Sequence, residues 1–197
     1  MNTVKTTLTT NAIFSDDGAK RYLLTKTWDT DKPTLAIIML APSEASGVIL
    51  DSTTMLVLNN AARMGYGGVT ILNLFATLND FDLRKAELDD EENLKIIVSA
   101  AKSADIVIYA ADVGKAKNKL FQKRQKQVLT ELKTMEHKLF CLCDARGNAR
   151  LQHPLSLAVR NWELSPLKIE ELVKHEEGKS ETPKKGKKPT KNEEPAE

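Results

Sequence analysis

The sequence predicts an α/β domain, three-layered, with a mostly parallel central sheet and helices on both faces. Three observations carry this. Residues 34–40 (TLAIIML), 69–75 (VTILNLF), 105–111 (DIVIYAA) and 138–143 (KLFCLC) are near-continuous apolar runs of strand length, as expected of strands buried on both sides. Segments of helical periodicity lie between them. Strand and helix alternate along the chain, which implies parallel strands joined by right-handed crossovers.

The elements follow in order. Residues 21–28 (RYLLTKTW) read as a first strand and 34–40 as a buried one. Pro42 and Gly47 mark 41–50 as a loop. Ser52 is a good N-cap for a helix that buries Leu56, Ala61, Ala62 and Met64, and the glycines of 65–68 (GYGG) stop it. After strand 69–75 and a polar connection over 76–90, residues 91–103 form a helix with Leu94, Ile97, Val98 and Ala101 on one side. Strand 105–111 and a turn at 112–115 (DVGK) lead to a long helix over 117–135. Strand 138–143 is the last clear one, followed by a turn at 144–148 (DARGN) and a short loop or helix start at 152–157.

The chain has 197 residues and 41% hydrophobic content, enough for one core. The expected layout is an N-terminal extension over 1–19, a single domain over 20–172 and a tail over 173–197. The tail is rich in Lys, Glu, Pro and Gly, with five lysines in residues 183–191. Such a segment buries too little apolar surface to offset an ordering cost of about 1–2 kcal/mol per residue. It reads as a solubilising tail or as a weak contact for phosphate backbones. No apolar run approaches the roughly 20 residues of a membrane span. The polar, Thr-rich start lacks the apolar centre of a secretory signal, so a cytoplasmic location is expected.

Basic and acidic residues number 29 and 27, for a net charge of +2, so no global positive field marks a nucleic-acid binder. Cys141 and Cys143 form C-x-C. Two residues apart on a strand, they are poorly placed for a disulfide and read as small buried side chains. With three histidines in the chain, a zinc site is not expected. No cofactor is expected, although magnesium held through a ligand's phosphates would leave little trace.

In open α/β sheets ligands bind beyond the carboxyl ends of the parallel strands. Here those ends are residues 41–51, 73–79, 111–115 and 144–156. The first holds Pro42, Ser43, Glu44, Ser46 and then Asp51 and Ser52, where a helix N-terminus with hydroxyls either binds an anion or is simply capped by Asp51 or Ser52. The second holds Asn73, an amide in an apolar strand that needs a partner, either a neighbouring loop or a ligand. Phe75 beside it is core or a stacking ring. The last holds Arg146 and Arg150, surface residues or phosphate contacts, and then His153 and Ser156. His153 has the pKa range for proton chemistry and is a structural histidine otherwise. Asp51 and His153 are therefore the candidate catalytic residues. Pro42, Ser43, Asn73, Phe75, Arg146 and Ser156 are the candidate substrate contacts. The chain has no P-loop and no nucleophile elbow.

Taken together, RYLLTKTW (21–28), IIMLAPSEAS (37–46), DSTT (51–54), RMGYGGVTILNLFA (63–76) and CLCDARGNARLQHPLSL (141–157) resemble a family of bacterial and phage proteins known as domain of unknown function 1643. The layout is also similar, at the level of architecture, to the uracil-DNA glycosylase superfamily, with a Pro-containing loop after an early strand (41–43) and a late His-Pro pair (153–154). That second resemblance implies base flipping and cleavage of an N-glycosidic bond. The early loop would position water, Asn73 would read the base edge, Phe75 would stack, and His153 would stabilise the departing base. The chain departs from the family where Ala41 replaces an Asn and where Leu50-Asp51 replaces a pair of acids. Glu44 or Asp51 would then have to hold the water.

Two main expectations follow. The first is recognition of a nucleobase, nucleotide or nucleic acid, with glycosylase-like hydrolysis as the reaction. The alternative is a non-catalytic module binding nucleotide, nucleic acid or protein on a degenerate enzyme fold. A structural accessory protein with no small-molecule site is the third. No membrane partner is expected.

Overall fold

The four apolar runs form the centre of one seven-stranded sheet in a computed structural model. The structure describes residues 1–44, 47–78, 81–88, 90–111, 118–143 and 152–170. Strands β1 (Thr9–Phe14), β2 (Arg21–Thr27), β3 (Thr34–Met39), β4 (Gly68–Asn73), β5 (Ile106–Tyr109), β6 (Leu139–Cys143) and β7 (Glu163–Pro166) are arranged in the order β1-β2-β4-β3-β5-β6-β7. The helices are α1 (Ser52–Arg63), α2 (Glu91–Ser103) and α3 (Lys119–Leu132).

The sheet is mixed, which corrects the expectation of a mostly parallel one. Strands β4, β3, β5 and β6 run parallel, but β1, β2 and β7 are antiparallel to their neighbours. The physical reason lies in the edges. Strand β1 is largely exposed and β7 partly so, so neither needs the continuous apolar run that marks a central strand. Both therefore escaped a reading based on such runs. Residues 9–14, assigned from sequence to an extension, pair with β2 from Thr9↔Thr27 onward. Strand 138–143 is likewise not the last, since β7 pairs with it. The long helix expected over 117–135 ends at Leu132 and tightens into a 3-10 turn, Lys133–Lys138.

Side chains alternate along the central strands, and the core divides accordingly. Ala36, Ile38, Leu72, Val107 and Tyr109 pack with Ile97 of α2 and Phe121, Val128 and Leu132 of α3. Leu35, Ile37, Met39, Ile71 and Ile108 pack with Val57 and Ala61 of α1, with Val159 and with Trp162. Cys141 joins the first cluster, and both cysteines are buried and free. Burial pushes the Cys141 thiol up to about 11, so it is a packing residue with no thiolate at neutral pH.

Glycines 65 and 67 explain the GYGG stop. Gly65 takes φ +88° just past α1, and its N–H bonds Ala62 O. A Cβ at Gly67 would overlap the Asp29 carbonyl oxygen, because Trp28 and Asp29 both donate to Gly67 O at 2.9 and 3.0 Å.

The carboxyl end of β4 is held by buried side chains. Arg124 of α3 is 1% exposed. Its Nε donates to Leu74 O at 2.8 Å, its Nη1 to Leu88 O at 3.1 Å and its Nη2 to Asp90 O at 3.2 Å. Asn93 of α2 donates to Asn73 O and Leu74 O, both at 3.1 Å. Asp90 caps α2 through Asn93 N–H at 3.0 Å and pairs with Lys20 at 3.0 Å. No helix among the described residues is long and apolar enough to cross a membrane.

Arg124→Met keeps the volume and removes three charge-assisted bonds to buried carbonyls. We expect a loss of about 3 kcal/mol in urea unfolding. A change below about 1 kcal/mol would show that the three carbonyls find other partners.

Candidate functional site at the carboxyl edge of the sheet

The parallel strands end at Met39, Asn73, Tyr109 and Cys143. Because β2 runs the other way, its first residue, Arg21, reaches the same edge: Arg21 N–H donates to Ala76 O at 2.9 Å, just past β4. The connections after β3 and β4 stay paired for a step beyond the strands, with Leu74 N–H on Met39 O at 2.8 Å and Phe75 N–H on Leu40 O at 3.0 Å.

Asp51, the residue before α1, is the N-cap, and Ser52 is the first helical residue. Of the two capping candidates, Asp51 and Ser52, the cap is therefore Asp51. Asp51 takes the extended backbone an N-cap needs, and its Oδ1 accepts from Thr54 N–H at 2.6 Å. The Ser43 hydroxyl stands near enough to the carboxylate to favour its charge. Burial alone would raise its pKa. The Ser43 hydroxyl, the bonds from Thr54 and the charge of Arg21 outweigh burial and hold the group below the ordinary carboxylate value. At neutral pH it is a fixed negative charge at a helix N-terminus, with hydrogen-bond capacity to spare.

Arg21 is 2% exposed, and its Nη1 donates to Ser43 O at 3.2 Å. Burial lowers its pKa and the nearby Asp51 opposes that; a guanidinium stays charged regardless. Sequence reasoning placed Arg21 in a strand and missed it as a site residue. The missing information was the antiparallel direction of β2, which a single chain read locally does not reveal.

Asn73 ends β4 opposite Met39. It therefore shares the face of Met39, Val57 and Ala61, the face on which α1 begins. It is 2% exposed, and its Nδ2 has no hydrogen-bond partner among the described residues. Its backbone carbonyl, by contrast, is taken by Asn93. Phe75 is 3% exposed, lies in the first core cluster and packs against Phe81 with ring centroids 5.4 Å apart. Pro42 and Ala41 are half-buried beside Ser43.

His153 is half-buried. Its Nδ1 accepts from Leu155 N–H at 3.2 Å, which leaves the proton of the neutral ring on Nε2. Its carbonyl accepts from Ser156 N–H at 2.8 Å, and Ser156 precedes a short 3-10 turn, Leu157–Val159. That segment is carried by α1: Asn60 donates to Arg160 O at 3.1 Å and accepts from Trp162 N–H at 3.1 Å. Arg146 and Arg150, with Ser46, the turns at 112–115 and 144–148 and the tail, lie outside the described residues.

The structure thus brings Ser43, Asp51 and the unforeseen Arg21 together, Arg21 bonded to Ser43 O and both groups acting on the Asp51 carboxylate, with Asn73 on the α1 side of the same edge. No cluster of three metal-ligating side chains occurs among the described residues. The group supplies an ionised acceptor, a hydroxyl and an unused amide donor, a combination that reads a polar edge of a neutral ring or orients a water.

Comparison with known proteins gives one family match. A family described as "Protein of unknown function (DUF1643)" matches residues 21–155. No curated protein matches the sequence.

Asp51→Ala removes the cap and is expected to cost about 1 kcal/mol at neutral pH. The carboxyl pKa is lower folded than unfolded, so its contribution is complete above the unfolded value and fades as pH falls through the folded one. Urea midpoints of wild type and Asp51→Ala should converge below about pH 4, while Asp51→Asn, still a good cap, should lose less. Midpoints that stay parallel down to acid unfolding would show that the charge contributes nothing.

Proposed function

Because the chain belongs to the DUF1643 family, whose description names no activity, we propose its function from the carboxyl-edge site: it recognises a nucleobase, alone or within a nucleotide or nucleic acid. The observation that carries this reading is the Asn73 amide. A buried N–H donor without a partner costs on the order of 1–3 kcal/mol, and a ligand acceptor would relieve it. Asn pairs with the donor–acceptor edge of a heterocycle, and Asp51 and Ser43 supply the complementary acceptor and hydroxyl. Phe75 packs on Phe81 in the first core cluster, and we assign it no contact with the ring. We also read the two core clusters as the two covered faces of a three-layer fold, in keeping with the architectural resemblance to uracil-DNA glycosylases.

A second reading, hydrolysis of the N-glycosidic bond, is favoured by His153. Its Nδ1 accepts from Leu155 N–H, and its Nε2–H would donate to the departing base, which leaves with the bonding electron pair. Asp51 would orient the water that attacks the sugar carbon. Its lowered pKa makes it a weak base, better suited to orienting water than to deprotonating it. Ala41 also leaves the early loop without an amide there. Both points favour recognition over turnover.

The test is a thermal-shift panel of nucleobases, nucleosides, mono- and dinucleotides and short single- and double-stranded DNA. A ligand at a hundred times its Kd stabilises the fold by about 2.7 kcal/mol. We expect one class to shift the wild type and Asn73→Ala to lose that shift. No shift with any class would remove the nucleobase reading. Base release that Asp51→Ala and His153→Ala both abolish would establish the hydrolytic one.

A further inference from the structure

Strand β2 carries a second buried cation. Lys26 is 1% exposed, on the same side of its strand as the fully buried Leu24. Its Nζ donates to Thr10 Oγ1 at 3.0 Å and to Gly47 O at 2.8 Å. Both partners are uncharged, and no carboxylate among the described residues pairs with it. An apolar residue would fill this place at lower cost, since burying an ammonium without a counter-charge is unfavourable. Burial lowers the amine's pKa, and the bonds to Thr10 and Gly47 offset part of the cost of burying the charge.

Gly47 belongs to the connection between β3 and α1, which also carries Ser43 and Asp51. The apolar residues after it do not hold that connection down. Val48 is 92% exposed, Ile49 67% and Leu50 42%. Polar anchors take the place of packing: Arg21 on Ser43 O, Lys26 on Gly47 O and Asp51 on Thr54 N–H. Two of the three come from one strand, five residues apart.

We propose that Lys26 is a positioning residue: its bond to Gly47 O holds the β3–α1 connection against β1 and β2 on the sheet face that α1 covers, and so sets where Ser43 and Asp51 stand. The consequence for ligand binding rests on the reading given under Proposed function; the position of the connection does not.

The test is a nitroxide label on Val48→Cys, with Cys141 and Cys143 buried and checked for labelling in a control without the new cysteine. Three full-length backgrounds are compared: wild type, Lys26→Met and Lys26→Arg. Lys26→Met matches the length and lacks the donors. We expect it to unfold cooperatively, with a several-fold shorter rotational correlation time for the label, while Lys26→Arg restores the slower motion. Thr10→Val, which spares the Gly47 bond, should leave the spectrum as in wild type. Identical spectra in wild type and Lys26→Met would overturn the proposal, as would a Thr10→Val effect equal to that of Lys26→Met, which would mark general loosening of the β1–β2 edge. Should Lys26→Met not fold, Lys26→Gln replaces it with the same expectation, since its side chain is one atom shorter than that of lysine and carries no charge. The nucleotide and DNA panel is then repeated on Lys26→Met. A wild-type shift that Lys26→Met loses extends the role to ligand binding. A wild type that never shifts rejects the nucleobase reading alone, because the label spectrum decides the position of the connection independently.

Discussion

The carboxyl edge of this sheet depends on where one buried guanidinium puts its protons. Arg124 lies within α3 and donates to the carbonyls of Leu74, Leu88 and Asp90. Those carbonyls belong to the end of β4 and to the connection leading into α2, neither of which has strand partners to satisfy it there. Unpaired buried carbonyls would be costly. Arg124, helped by Asn93, meets that cost from two helices at once. The result is a rigid rim that links α3, β4 and α2, and through Asp90 reaches Lys20 just before β2.

On the α1 side of that rim the arrangement is different. Arg21 and Lys26 of β2, together with the Asp51 cap, bond to a connection whose apolar residues face outward. A polar anchor fixes a point on the backbone through direction and distance, whereas apolar packing fixes a surface. A loop that must present a hydroxyl and a carboxylate in a set place is better served by the first. The buried cations of β2 are thus explained by what they hold, not by stability, since ion burial of this kind seldom adds to it.

Asn73 is the point where the two sides meet. Its carbonyl belongs to the rigid rim through Asn93, and its side chain faces the α1 side with an unused donor. Elsewhere at this edge, the carbonyls of Ser43 and Leu74, the Asp51 carboxylate and the N–H of Leu74 and Phe75 all have partners. Asn93 Oδ1, the Gln125 amide and Trp162 Nε1 are also buried without a partner among the described residues, but the Asn73 donor stands at the carboxyl end of a central strand, where function introduces such local inconsistencies.

Much of this was legible in the sequence. The four apolar runs set the central strands, because strands buried on both faces leave no alternation to misread. Glu91–Ser103 emerged as a helix from its period alone. Asp51, Ser43 and Asn73 could be singled out because a polar residue at the end of an apolar strand, or before a helix, has few reasons to be there. The edge strands β1 and β7 were not legible, since half-exposed strands take their shape from a neighbour that the local sequence does not name. Nor was Arg21, whose place at the site follows from the direction of β2, or Lys26, whose acceptors lie 16 and 21 residues away. The central strands, the helices and the polar residues at their ends could be read from the chain alone, because burial and capping are local demands. The edge strands, the strands that run antiparallel and the buried cations that meet the site loop could not, because pairing direction and long-range hydrogen bonds are settled by the packed chain as a whole.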